Sequence, residues 1–81
     1  MTSADQLRGD IRAVMATTFG LPSGKLPTQA SVQTLPAWDS LGHLALIEAL
    51  GARFKVTIPV RDAVDLLTED DLVRYLSTRV G

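Results

Sequence analysis

A single apolar stripe at helical spacing, closed at both ends by stop signals, limits what this chain can fold into. Leu7, Ile11, Val14, Met15 and Phe19 recur three or four residues apart and share one face of a helix. Ser3 and Gln6 form a Ser-x-x-Gln capping signal ahead of the stripe, and Gly20 followed by Pro22 ends it. One amphipathic helix cannot bury its stripe alone. Only 5% of the 81 residues are aromatic, so the partners must come from Leu, Val, Ile and Ala, which favours packed helices over a sheet sandwich. A hydrophobic share of 46% is ample for one thin core in a single small domain. With no Cys there is no disulfide, no thiolate zinc site and no cysteine nucleophile, and no metal site is expected.

After the first helix, Pro22, Gly24, Pro27 and Pro36 punctuate a polar stretch running to Ala37. A loop of this length in so small a domain has to be pinned. Leu26, Val32, Leu35 and Trp38 are the expected pins, each contributing roughly 1.5–3 kcal/mol if fully buried. Asp39 then serves as N-cap of a second helix reaching Phe54. Leu44, Ile47, Leu50 and Phe54 are expected to face the core, with Leu46 flanking them. The opposite face carries Gly42, Ala45, Glu48, Ala49, Ala52 and Arg53. Gly51, in the helix body, costs about 0.8–1 kcal/mol relative to Ala and suggests close approach of a neighbouring helix.

Further on, Ile58 reads as an apolar plug in a short connector. Residues 60–67 read two ways: their β-branched residues favour a strand, while Asp62-Ala63-Val64-Asp65-Leu66-Leu67 suits one or two helical turns held by packing. Thr68 caps a last helix whose first turn, Glu69, Asp70 and Asp71, carries the charge sign the dipole prefers. Leu72, Val73, Leu76 and Val80 give its buried stripe. The expectation is an all-α fold: a small four-helix bundle of three longer helices and one short one, with a long first loop. The helices cover roughly residues 3–19, 39–54, 60–67 and 68–79 of a single domain spanning residues 1–81.

The chemistry concentrates in Trp38-Asp39-Ser40-Leu41-Gly42-His43-Leu44, which places a serine where the loop turns into the second helix. A helix start presents unpaired N–H groups and the positive end of the macrodipole, a favourable place for a phosphate. Nothing nearby in sequence looks able to activate Ser40 as a nucleophile in its own right. Asp39-Ser40-Leu41 at the head of a helix, within this layout of helices from Ser3 to Leu76, resembles the acyl carrier protein family.

The resemblance implies a 4′-phosphopantetheine arm, supplied by coenzyme A and joined to Ser40, whose thiol carries an acyl or aminoacyl cargo as a thioester between biosynthetic enzymes. It implies a carrier rather than an enzyme. It also implies three kinds of partner: a phosphopantetheinyl transferase, a cargo-loading ligase or acyltransferase, and downstream synthases or transferases. Asp39 caps the helix and offers a carboxylate to the transferase, and Leu41 follows the modified serine. Leu41, Gly42, Leu44, Ala45 and Glu48 are the expected partner-recognition residues. Fatty-acid-synthase carriers are strongly acidic along the second helix. Here that face offers Glu48 among Gly and Ala, and eight basic against nine acidic residues give a net charge of −1. The wording is closer to free-standing carriers of specialised pathways making polyketides, peptides or aminoacyl transfers than to housekeeping fatty-acid synthesis.

Two other readings compete. A helical protein-interaction module without a prosthetic group would dock through the Gly/Ala face of the second helix. Asp39, Ser40 and His43 invite a serine-hydrolase reading, since residues three apart on a helix are neighbours. Against it, Asp39 would have to orient His43 from the wrong side of one turn, and the chain is small for a cleft with an oxyanion hole. Trp38 is expected to anchor the loop in the core, and His43 to be a partly buried, hydrogen-bonded structural residue. No basic stripe supports nucleic-acid binding. No apolar signal core or membrane-length run is present, so a cytoplasmic monomer is expected.

Overall fold

The chain is described by a computed structural model covering residues 3–79. Ser3 accepts a hydrogen bond at Oγ from the Gln6 N–H (3.1 Å) and opens α1, Ala4–Phe19, which ends where Gly20 takes the left-handed conformation at φ 68°. A single 3-10 turn follows at Ser23–Lys25. The other helices are α2 (Ser40–Phe54), α3 (Val60–Ala63) and α4 (Glu69–Ser77). Among the described residues there is no strand, only one isolated bridge between Ser31 and Thr68. The architecture is therefore the small four-helix bundle expected from the pattern, with α1 packed against both α2 and α4. Leu7, Ile11 and Met15 of α1 meet Leu46 and Leu50 of α2 and Leu72 and Leu76 of α4 in one buried cluster.

Ile47, Leu50 and Phe54 of α2 face the core as expected, but the stripe differs at its start. Leu46 is fully buried, whereas Leu44 is 56% exposed. The inward face runs through His43, Leu46, Ile47, Leu50 and Phe54, and the outward face through Leu41, Leu44, Ala45, Glu48 and Ala52. Both sets satisfy helical spacing. What selects the first is that His43 and Leu46 each find partners inside. Gly51 also has a different reason from the one expected. A Cβ there would lie 2.9 Å from the Val56 carbonyl oxygen, because the chain folds back on the end of its own helix rather than meeting another one. The reversal uses Lys55 as a left-handed cap at φ 57°, and its N–H and that of Val56 both reach the Gly51 carbonyl.

The helical turns expected over 60–67 shrink to one, Val60–Ala63. Past it the backbone changes partners: the Val32 N–H donates to the Leu67 carbonyl (3.1 Å) and the Leu67 N–H donates to Asp71 Oδ2 (3.2 Å). The last helix occupies Glu69–Ser77 with Thr68 as its cap, and Val80, expected in its stripe, lies outside the described residues.

Leu26, Leu35 and Trp38 are buried pins of the long loop as expected, with Val32 partly buried against the core. A polar clamp adds to them. Glu69 is 2% exposed, and its carboxylate accepts hydrogen bonds from Arg8, from Arg12 and from the Ala30 N–H (3.3 Å). Arg12 also donates to the carbonyls of Pro27 (2.9 Å) and Leu26 (3.1 Å), and the Glu69 N–H returns to the Ala30 carbonyl (2.8 Å). One carboxylate thus joins α1, the middle of the loop and the head of α4.

At the other end of α4, the Tyr75 hydroxyl donates to Asp62 Oδ2 (2.7 Å) and ties α4 to α3. Burial, together with the bond to the Asp62 carboxylate, raises the Tyr75 hydroxyl above its ordinary value of 10.0. The folded value lies above the unfolded one, so this contribution to stability is complete below pH 10 and is lost as pH rises through the folded value. Tyr75 is the sole tyrosine, so phenolate absorbance reports on it alone. Its midpoint should exceed 10 in the native protein and return to the ordinary value in urea. Equal midpoints in the two states would show that the Asp62 bond is not held in solution.

Candidate functional site

The site is built where the loop ends. The Ser31 carbonyl accepts from the Leu35 N–H (3.0 Å) and the Leu35 carbonyl from the Trp38 N–H (2.9 Å), so two successive turns deliver the Trp38 ring inward, to 2% exposure. Burying Trp38 sets the path of the next residue. Asp39 stays extended at φ −99°, ψ −168° and caps α2: its Oδ1 accepts from the Gly42 N–H (2.8 Å) and its carbonyl from the His43 N–H (2.7 Å). Ser40 is then the first residue of α2, exposed, and its hydroxyl has no hydrogen-bond partner among the described residues. The Asp39 carboxylate, not the Ser40 hydroxyl, caps the Gly42 N–H, so the Ser40 oxygen is not used as a helix cap.

Gly42 has an internal reason to be glycine. A Cβ would lie 2.2 Å from the Ala37 carbonyl oxygen and 3.2 Å from the Phe19 ring, so the loop can lie this close to α2 only over a bare backbone. Leu41 (79% exposed), Leu44 (56% exposed), Ala45 and Glu48 all face outward. Three exposed apolar residues that the motif did not include join them on the surface: Val60, Val64 and Leu67. Leu67 lines a cleft of about 290 Å³ together with Val32, Trp38, Asp39, Ser40 and His43.

His43 is held at both ring nitrogens. The Trp38 Nε1–H donates to Nδ1 (2.9 Å), and Nε2 lies 2.8 Å from the Ala63 carbonyl oxygen. An indole N–H is only a donor and a carbonyl only an acceptor, so these partners fix a neutral imidazole with its proton on Nε2. Neither nitrogen is then free to take a proton from Ser40. Asp39 turns its carboxylate to the Gly42 N–H rather than to the imidazole. The triad logic fails on geometry, and the chemistry available is that of an exposed, unactivated hydroxyl at a helix head.

No protein-family model matches the chain. Among curated proteins, it is 31% identical over 67 residues to an acyl carrier protein of Campylobacter jejuni subsp. doylei, covering 83% of this chain and 87% of the relative. It is also 30% identical over 76 residues to an acyl carrier protein of Chlamydia caviae, covering 93% of this chain and 97% of that relative. The chain belongs to the acyl carrier protein family. The similarity to the two relatives covers most of the chain, 83% and 93% of it. No helix among the described residues is long and apolar enough to cross a membrane.

His43 is the partly buried, hydrogen-bonded structural residue expected, and Trp38 the expected anchor. What the sequence did not reveal is which groups they bond, each other and the Ala63 carbonyl, and that Leu67 lines the cleft beside Ser40. A lone His one helical turn after a capping Asp was the available signal for the first. For Leu67 there was no local signal, because its backbone partner Val32 lies in the loop more than thirty positions earlier.

Proposed function

We propose that Ser40 is the attachment point of a 4′-phosphopantetheine arm and that the protein is a substrate and shuttle for enzymes rather than an enzyme itself. The observation that carries this reading is an exposed serine at the first position of α2 whose hydroxyl has no partner among the described residues, because the neighbouring Asp39 caps the Gly42 N–H in its place. The residues fit the group. A phosphodiester on Ser40 would sit at the positive end of α2, and the adjoining cleft offers apolar and polar walls from Val32, Trp38, His43 and Leu67 to the arm. When bound, the group supplies a thiol that a chain without Cys lacks, and that thiol holds the cargo as a thioester. The attachment joins the Ser40 oxygen to the phosphorus of coenzyme A and breaks its pyrophosphate bond. Adenosine bisphosphate leaves and the serine proton passes to the transferase. Incubation with coenzyme A and a broad-specificity phosphopantetheinyl transferase should add one arm per chain, on the peptide containing Ser40. An unchanged mass would leave the interaction-module reading in its place.

Partner enzymes should meet the start of α2. The cap residue Asp39 and Glu48 on the outward face are the acids there, while Arg53 near the far end pairs with Asp10 at 3.6 Å. Few salt-sensitive pairs can form there, and charge attraction mainly accelerates encounter. Leu41, Leu44 and Ala45 instead offer shape and apolar area. This favours a loading enzyme of a specialised pathway over the charge-steered partners of bulk fatty-acid synthesis. Loading should weaken only mildly between low and physiological salt, and Ala45→Trp should impair it more than Glu48→Gln. Steep salt dependence together with tolerance of Ala45→Trp would restore the electrostatic mode.

A further inference from the structure

We infer that the Trp38–His43–Ala63 hydrogen-bond chain is a latch that keeps a cargo tethered at Ser40 out of the bundle, so that the cargo class is short or polar. The inference rests on the arm being carried by Ser40. An apolar chain at the end of that arm has two destinations, the interior of the bundle or the outside. Entry from Ser40 leads through the cleft it shares with Trp38, His43 and Leu67.

The back of that cleft is closed. Trp38 is 2% exposed and packs near two other rings, Phe19 at 6.2 Å and His43 at 6.1 Å, the latter stacked at 24°. His43 reaches from the first turn of α2 across to α3, where Nε2–H meets the Ala63 carbonyl at 2.8 Å. Behind this row, Leu46, Leu50 and Leu66 are already buried. To admit an alkyl chain the protein would have to strip His43 of both partners, and the indole N–H and the Ala63 carbonyl would be left facing hydrocarbon without water to replace them. Buried polar groups without partners are costly, so the latch favours the closed state for any cargo that gains little from burial. Short or polar groups, aminoacyl groups among them, are of this kind.

The test loads Ser40 from acetyl- and octanoyl-coenzyme A with the transferase and compares the melting temperatures of the two products. A chain that enters the interior raises the melting temperature by roughly 3–6 °C for each methylene buried, from the transfer free energy of a methylene and the unfolding entropy of a domain this size. The expected result is a difference of less than about 3 °C for the wild-type protein, the equivalent of at most one methylene. His43→Ala, which removes the latch, should acquire a clear dependence on chain length. Trp38→Phe, which keeps a ring but loses the indole N–H, makes the same comparison if His43→Ala does not fold. A strong chain-length dependence in the wild type overturns the inference. So does its absence in the folded latch variants, because the interior would then be closed by packing alone. Failure of the parent reading looks different: no arm, and no added mass, on Ser40.

Discussion

Ser40→Ala should abolish attachment of the arm entirely while leaving the bundle as stable as before, to within about 0.5 kcal/mol. The two halves of this expectation have separate causes. Attachment needs an oxygen nucleophile, and an alanine methyl offers none. Stability is spared because Ser40 is exposed, makes no side-chain hydrogen bond among the described residues and is not the residue that caps α2. Asp39→Ala makes the complementary case. It removes the acceptor of the Gly42 N–H and should cost about 0.5–2 kcal/mol, yet it leaves the hydroxyl in place. Intact mass after exposure to coenzyme A and transferase reads the first effect, and thermal unfolding reads the second. If Ser40→Ala still gained an arm, the attachment point would lie on another hydroxyl. If it lost several kcal/mol, the serine would be part of the helix cap after all.

Much of this site was legible because helix ends are specified locally. Ser3, Asp39 and Thr68 each cap from their own side chain to an N–H three residues ahead, so a short window of sequence contains both partners. The phase of α2 was not local. Leucines at 41, 44, 46 and 50 with Ile47 permit two faces, and the choice between Leu44 and Leu46 is made by α1 and by the pull of Trp38 and Ala63 on His43. Glu69 was hidden differently. In sequence it is one of three consecutive acids suited to a helix start, and nothing separates it from Asp70 and Asp71. Its burial depends on Arg8 and Arg12, more than fifty positions away. The available hint was on the other side: two arginines four residues apart share a face of α1 next to the apolar stripe, and that proximity to a core calls for an anion.

Glu69→Gln should therefore destabilise the bundle far more than any other loss of charge in that acidic turn, by roughly 2–4 kcal/mol. Breaking a fully buried ion pair costs about 3–5 kcal/mol, and the lower figure reflects arginines that keep part of their contact with water. Their side chains are 34% and 25% exposed, against 2% for Glu69. The amide keeps the size of the carboxylate but presents one oxygen to three donors, and its NH₂ would face a guanidinium that has nothing to accept with. Asp70→Asn is the control. It removes only the outer pair with Arg8, in which Asp70 is 45% exposed, and should cost less than about 1 kcal/mol. Urea unfolding separates the two, and amide hydrogen exchange locates the damage. Ala30 bonds directly to Glu69, and Val32 donates to Leu67 just before the α4 cap, so their N–H groups should lose protection first. From there the strain leads to function, since the same loop carries Trp38 and thereby sets where Asp39 and Ser40 enter α2. Loosened at Ala30, the loop should still present the Ser40 hydroxyl but hold Trp38 less firmly, which the emission of this sole tryptophan would report. A Glu69→Gln protein as stable as Asp70→Asn would mean that Leu26, Leu35 and Trp38 hold the loop without the clamp.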